Sequence, residues 1–159
     1  PAVALMALDA RVEVVGLGTS REVPIAEFFV LPGERLDRET VLQPGEFVGS
    51  VIVPGESAGG RQLYRKLMQR EAWDFALVSI AAVRRTDGAV RMALGGVAPR
   101  PWRVPLSVEE DVASGGLDDD SISALAERAL YDAEPLGKNG YKVELAAALL
   151  RDAMREMAD

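Results

Sequence analysis

Charged and apolar residues alternate near the start of the chain, and this alternation predicts strands. The segment RVEVVG at 11–16 runs into a glycine-rich segment, LGTS, at 17–20. An alternation with a period of two that ends in a glycine turn is typical of a β-hairpin. We therefore predict a hairpin between residues 10 and 24, preceded by the end of a short helix at 1–8.

A second hairpin is predicted in the middle of the chain. The most apolar run, DFALVSIAAVR at 74–84, is followed by the turn Thr86-Asp87-Gly88 and by the alternating run AVRMALG at 89–95. Two strand-like runs joined by an Asp-Gly turn favour antiparallel pairing. We expect the first of these strands to be buried on both faces and the second to be half-exposed. The segment FVGSVIV at 47–53 predicts one further strand.

Helical periodicity dominates the last third of the chain. Residues 106–113 predict a short helix, with Ser107 as N-cap and Glu110 at the capping-box position. Three acidic residues at 118–120 precede an apolar stripe of helical spacing, and 141–157 shows the clearest stripe. Strands followed by helices, without βαβ alternation, favour an α+β fold. We predict a small antiparallel sheet with helices packed on one side.

A polar stretch at 32–46 predicts a domain boundary. Pro-Gly pairs stand at both of its ends, and few of its residues are apolar. We therefore divide the chain into a first unit at 1–40 and an α+β domain at 45–159. The chain also starts within an apolar pattern that lacks a basic segment, so we expect a start inside a longer chain rather than a signal peptide.

Composition excludes several kinds of chemistry. The 159 residues include 25 acidic and 18 basic side chains, a net charge of −7, and no histidine. An acidic balance argues against a nucleic-acid partner, because phosphate neutralisation needs a basic face. Without cysteine or histidine, zinc sites, iron–sulfur ligation and catalytic triads from this chain are excluded. No run approaches the ~20 apolar residues of a membrane span, so we expect no membrane partner.

The glycine and acidic motifs predict turns and helix starts rather than ligand sites. Gly16 and Gly18 lack the third glycine and the following helix of a dinucleotide site, and Gly137-Lys138 lacks the rest of a P-loop. In LGGVAPRPWRVP at 94–105, prolines remove amides that a phosphate cradle would need. We expect Trp102 to cover the core, and Arg103 to face solvent or a partner. No metal site is predicted.

The segment YRKLMQREAWD at 64–74 carries the densest chemistry. Its eleven residues include a tyrosine, a tryptophan, a lysine, arginine and two carboxylates, one of which is Glu71. One interpretation is an amphipathic edge strand whose charges are solvated. The other is a surface that presents a lysine and an arginine to an anionic or aromatic ligand.

Three ordered blocks of sequence resemble one known family. They are YRKLMQREAWDFALVSIAA at 64–82, DGAVRMALGGVAPRPWR at 87–103 and PLGKNGYKVELAAALLR at 135–151. Together they resemble the C-terminal portion of the FAD-binding (medium) subunit of molybdenum hydroxylases, the family of xanthine dehydrogenase, carbon monoxide dehydrogenase and aldehyde oxidoreductases. The PWR that follows GGVA and the NGYKVELA segment look closest to the aldehyde oxidoreductase branch. The first forty residues are similar to the end of the FAD-binding domain.

This resemblance implies a function in electron transfer. In such enzymes, electrons pass from a molybdenum centre through Fe–S clusters to FAD, and from there to an acceptor. The resemblance places Lys66 near the isoalloxazine ring, where a cation favours the reduced, anionic flavin. It implies that Tyr64 and Asp74 are neighbours of the ring and assigns no catalytic residue to this chain.

The resemblance also implies partners. The molybdenum cofactor belongs to a large subunit and the Fe–S clusters to a [2Fe–2S] small subunit, and the glycine-rich FAD-binding segments lie in an upstream half. This chain therefore holds an incomplete FAD site. We expect a cytoplasmic complex, or a periplasmic one if the chain is exported with a partner. The alternative function is a non-enzymatic assembly or small-ligand-binding module that reuses the domain.

Overall fold

Two antiparallel sheets organise the chain in the computed structural model, which describes residues 1–70 and 73–158. The helices are α1 (Ala2–Ala7), α2 (Ile25–Phe28), α3 (Gly55–Ala58), α4 (Leu106–Ser114), α5 (Asp119–Ala129) and α6 (Tyr141–Ala158). The strands are β1 (Arg11–Gly16), β2 (Thr19–Pro24), β3 (Phe47–Ile52), β4 (Arg61–Leu67), β5 (Val78–Arg84), β6 (Val90–Gly95) and β7 (Trp102–Arg103).

The first sheet has the strand order β2-β1-β3. Strands β1 and β2 pair from Arg11↔Pro24 to Gly16↔Thr19, which confirms the first predicted hairpin. The turn between them places Gly18 at a φ of +71°, a conformation that glycine adopts without steric cost. The predicted end of a helix is also present, as α1, and α2 forms a single helical turn after β2.

Strand β3 pairs with β1 and completes the first sheet. The predicted division at 40–45 instead assigned this strand to the second unit. Strand pairing divides the chain later, between Ile52 and Arg61. The polar stretch at 32–46 is therefore a connection within the first unit. The sequence of a hydrophobic strand after a long loop does not show which strand it pairs with.

The second sheet has the strand order β4-β5-β6-β7. The predicted Asp-Gly hairpin is present, with Ser79↔Gly95 at one end and Arg84↔Val90 at the other. Helices α4 and α6 pack on one face of this sheet, and α5 packs against both of them. Together they enclose a core that includes Ile80, Met92 and Leu150. The α+β prediction, with helices packed on one side, is confirmed for this sheet.

Helix α1 of the first unit covers the opposite face of β5 and β6. It packs most closely at Gly95, where an added Cβ would lie 2.6 Å from both Val3 Cγ2 and Ser79 Oγ. Because α1 covers this face, β6 is buried over nearly its whole length. The prediction of a half-exposed second strand was wrong, since the covering helix comes from another part of the chain.

The predicted capping box on α4 is also wrong. Helix α4 begins after Pro105, which occupies the N-cap position, and no side chain caps it. Ser107 therefore lies inside the first turn rather than before it. On α5 the acidic start is confirmed, because the Asp118 side chain accepts a hydrogen bond from the backbone N–H of Ser121 at 2.8 Å.

Candidate functional site

Tyr64 and Lys66 lie on the same face of the second sheet. Leu63 and Leu67 of strand β4 pack against the core beneath the helices, so the residues between them at even positions point to the other face. The register agrees, because Tyr64 is paired with Ala81, which belongs to the core shared with α1. The two predicted site residues therefore face the side of the first unit.

This part of the sheet is open. Helix α1 packs on β5 and β6, whereas β4 is the edge strand beside them. Tyr64 is 53% exposed, and Lys66 is exposed as well. An aromatic side chain and an ammonium group thus flank an accessible strip beside α1, and such a pair suits a planar aromatic ligand that takes up negative charge.

Lys66 and Asp74 are brought together by the chain. The ammonium of Lys66 donates a hydrogen bond to the carbonyl oxygen of Asp74, with an Nζ to O distance of 2.7 Å. An ammonium has three donors, and this bond uses one of them. This bond holds the flexible lysine side chain against the segment that follows β4, and a ligand then meets a cation that is already positioned.

The carboxylate of Asp74 organises the same segment. Its oxygens accept hydrogen bonds from the backbone N–H groups of Arg70, at 3.1 Å, and Phe75, at 2.9 Å. The Arg70 guanidinium lies 3.5 Å from this carboxylate, which is therefore engaged within the segment. Asp74 acts on the site through its carbonyl and through the shape of the turn. Glu71, which the sequence also singled out, lies outside the described residues.

Two large aromatic side chains extend from this segment. Trp73 is 98% exposed and Phe75 is 93% exposed. Trp73 also adopts a φ of +55°, which is uncommon for a residue with a bulky side chain. Both residues flank Asp74, whose carbonyl binds Lys66, so the neighbourhood of the candidate site carries exposed aromatic side chains.

A second set of charged residues, which the sequence analysis missed, joins the two units. We call Asp9, Arg85, Arg91, Arg103 and Glu109 the arginine–carboxylate cluster. Asp9 follows α1 and accepts hydrogen bonds from Arg85 at 3.2 Å, from Arg91 at 2.9 Å and from Arg103. Arg103 therefore binds the first unit instead of facing solvent or a partner. Trp102, expected to cover the core, is 43% exposed.

The two carboxyls of this cluster are shifted in opposite directions. Partial burial favours a higher pKa for Asp9, but hydrogen bonds and charge from Arg103 and Arg91 outweigh it and hold the pKa below its usual value. Glu109 is only 1% exposed, and burial raises its pKa to about 7 against the opposing charge of Arg103 and Arg91. No local motif pointed to Glu109, since its burial depends on how α4 packs on β6.

The described residues contain neither a metal-binding cluster nor a helix that could span a membrane. Within residues 1–70 and 73–158, no three His, Cys, Asp or Glu side chains are grouped closely enough to hold a metal ion. Across the same ranges, no helix combines the length and the apolar character needed to cross a bilayer.

Comparison with protein family models shows which family the chain belongs to. Residues 64–157 match the model of the CO dehydrogenase flavoprotein C-terminal domain. The chain belongs to this family. Residues 1–56 match the FAD binding domain in molybdopterin dehydrogenase, so the first match ends after β3 and the second begins within β4. The family model thus begins at Tyr64, the first residue of the candidate site.

A curated relative of this flavoprotein family supports the same relationship. The chain is 36% identical over 156 residues to the aldehyde oxidoreductase FAD-binding subunit PaoB of Escherichia coli (strain K12). The match covers 98% of the chain and 46% of the relative, so the chain spans about half the length of this protein. The resemblance to molybdenum hydroxylase FAD subunits that the three sequence blocks indicated is therefore confirmed.

Solved structures agree on the fold of this flavoprotein domain. Quinoline 2-oxidoreductase from Pseudomonas putida 86 matches with a TM-score of 0.79 at 22% identity, over 99% of the chain and 55% of that protein chain. Carbon monoxide dehydrogenase from Hydrogenophaga pseudoflava matches with a TM-score of 0.79 at 25% identity, over 99% of the chain and 56% of that chain. The predicted fold class is confirmed.

The residues of the open strip fit FAD, the cofactor that the family implies. The strip offers the Tyr64 ring and the positioned Lys66 ammonium on the side that faces the FAD-binding unit. An aromatic ring and a cation are groups that suit the ring end of FAD.

Proposed function

We propose that this chain completes the isoalloxazine site of a molybdenum hydroxylase flavin subunit. The observation that carries the proposal is the placement of Lys66 on the open edge of the second sheet, facing the unit that matches the FAD-binding domain. FAD supplies a ring that accepts electrons from one redox centre and delivers them to another. This chain contributes a wall of the site and a fixed positive charge.

In this proposal Lys66 tunes the cofactor electrostatically. Its ammonium stabilises negative charge on a ring placed against β4, and its hydrogen bond to the Asp74 carbonyl keeps it there. Tyr64 supplies an aromatic wall on the same face, and Asp74 shapes the turn that holds the lysine. None of these side chains transfers a proton, so all three are binding or positioning residues.

We propose the partners from the relatives. Electrons reach the flavin from a [2Fe–2S] small subunit, which receives them from a molybdenum-binding large subunit, and an upstream half provides the phosphate end of the FAD site. The identity of 36% with PaoB favours the aldehyde oxidoreductase branch. The complex is proposed to lie in the cytoplasm, or in the periplasm if it is exported with a partner.

The Lys66→Met variant of the full-length protein tests the site. Removing a cation beside the ring disfavours its reduced, negatively charged state, so we expect the flavin midpoint potential to fall by tens of millivolts. About 30 mV corresponds to ~1.4 kcal/mol for a two-electron couple. FAD content should change less than about twofold, because this chain does not supply the phosphate contacts. Spectroelectrochemistry and the visible spectrum measure both quantities.

Arg65→Met provides the matched control. Arg65 is the neighbouring residue on β4 but points to the helix side, where it pairs with Asp152 at 2.6 Å and Glu156 at 3.0 Å. The Arg65→Met variant therefore removes the same charge one residue away on the opposite face of the sheet. We expect its flavin midpoint potential to stay at the wild-type value. Equal potentials in Lys66→Met and wild type would remove Lys66 from the site, and a colourless wild-type protein would contradict the proposed function itself.

A further inference from the structure

A cavity of about 200 Å³ lies on the helix side of the second sheet, away from Tyr64 and Lys66. Leu94, which forms part of its wall, belongs to the core beneath the helices, whereas the candidate FAD strip occupies the other face. The segment between α5 and α6 closes one side of the cavity. Its apolar wall consists of Leu94, Val97, Trp102, Leu130, Val143 and Ala146.

Two polar side chains of the cavity have unused hydrogen-bonding capacity. Lys142 donates a hydrogen bond from Nζ to the carbonyl oxygen of Gly96 at 2.8 Å, and no carboxylate of the described residues lies within 4.0 Å of it. Asn139 Oδ1 is buried and has no hydrogen-bond partner within the described structure. A ligand beside this amide can donate to its oxygen or accept from its nitrogen, and a carboxylate can only accept.

The other charged side chains around the cavity restrict the charge that a ligand can carry. Arg128 is engaged by the carboxylate of Asp111, so its charge is already compensated. Asp132 and Glu134 are exposed residues of the lining, and they disfavour a ligand with several negative charges. Lys142 therefore remains the cation available to an anionic group, and a single negative charge suits the cavity best.

We propose that this cavity binds a small monocyclic monocarboxylate. Its ring packs against Leu94, Trp102 and Leu130, and its carboxylate accepts hydrogen bonds from Lys142 and from the amide of Asn139. The amide can present either its oxygen or its nitrogen to a ligand by rotating about its last side-chain bond. A dry cavity of about 150 Å³ holds benzene in another protein, so the volume here accommodates a six-membered ring with one substituent.

Benzoate is the probe that tests this site in the full-length protein. For a ligand of this size we expect a dissociation constant of about 0.1–1 mM by isothermal titration calorimetry. Benzamide has the same ring and shape without the charge, and we expect it to bind about tenfold more weakly. Equal binding of the two ligands would overturn the proposed carboxylate recognition, and no binding of benzoate in the millimolar range would overturn the site.

Two variants locate the bound benzoate. Lys142→Met should weaken binding at least about tenfold, whereas Lys138→Met, which removes an exposed charge in the same segment but outside the lining, should leave it unchanged. Ala98→Phe adds a ring at the wall and should abolish binding by filling the space. Circular dichroism confirms the fold of each variant. Wild-type affinity in both Lys142→Met and Ala98→Phe would overturn the proposal.

Discussion

At the residue scale, Glu109 is the side chain whose behaviour departs furthest from its chemistry in water. One of its oxygens accepts the backbone N–H of Met92 at 2.7 Å, and the other is buried without a partner among the described residues. Arg91 and Arg103 lie at 3.6 and 3.5 Å, but Asp9 already compensates much of their charge. Burial therefore prevails and raises the pKa of Glu109 to about 7.

This shift predicts a pH dependence of stability. Between pH 4.5 and about 7 the folded state retains a proton on Glu109 that the unfolded state has released. The free energy of unfolding should then decrease as the pH rises through this window, by at most about 3 kcal/mol, and stay level above it. Glu109→Gln keeps a neutral group at the position, so the decrease should disappear. Urea unfolding at pH 5 and pH 8 measures the difference.

The exposed neighbour Glu110 serves as the control for this experiment. Glu110→Gln removes the same carboxyl one residue away, at a solvated position, and we expect it to keep the wild-type pH dependence. A Glu109→Gln protein with the same slope as wild type would show that another group titrates in this window.

At the scale of elements, the starts of α4 and α5 show which sequence signals are reliable. Each helix has a candidate capping residue near its start, yet only Asp118 makes the capping bond. Pro105 takes the N-cap position of α4 because its fixed φ suits the residue before a helix, and this moves Ser107 into the first turn. A capping motif is therefore informative only when no proline competes for the helix start.

The two capping candidates make a matched pair of variants. Asp118→Ala should lower the free energy of unfolding by about 1 kcal/mol, within a range of roughly 0.5–2 kcal/mol, because it leaves the Ser121 N–H without its partner. Ser107→Ala removes no capping bond and should change stability by less than about 0.5 kcal/mol. Chemical denaturation measures both values, and equal losses in the two proteins would contradict this assignment of the helix starts.

At the scale of the whole molecule, the arginine–carboxylate cluster is the polar link between the units. Asp9 lies in the short segment between α1 and β1. Its partners are Arg85 in the turn after β5, Arg91 on β6 and Arg103 on β7. The φ of +52° at Asp9 is uncommon but is tolerated by aspartate and asparagine. The apolar core around α1 contains residues of both sheets, so the ionic link and the hydrophobic contact act together.

Asp9→Asn tests this link without straining the backbone. The variant removes a shared carboxylate from three partly buried guanidinium groups, although Arg85 keeps its pair with Asp87 at 2.9 Å. We expect a loss of about 1–3 kcal/mol in the free energy of unfolding. Glu22→Gln breaks the pair between Arg11 and Glu22, whose side chains are 47% and 49% exposed, and should cost less than about 0.5 kcal/mol. Thermal unfolding compares the two, and a loss in Asp9→Asn no larger than in the control would contradict the link.

The sequence by itself determined the elements whose signals are local. Both hairpins were predicted, because a glycine or Asp-Gly turn joins segments that pair within about ten to fifteen residues. Helices α5 and α6 were predicted from the periodicity of their apolar residues. The family was also recognisable, because three blocks of sequence resemble it, and the match to the family model at 64–157 contains all three.

Only the tertiary structure decided which distant residues meet. Strand β3 joined the first sheet, α1 buried the second face of β6, and Asp9 reached Arg103, 94 positions away. The same applies to Lys142, which lies against Gly96 and closes the proposed cavity. Local propensities cannot encode such contacts, because each depends on how the two sheets and their helices pack. The sequence therefore specified the pieces and the family, and packing decided the buried charges and the cavity.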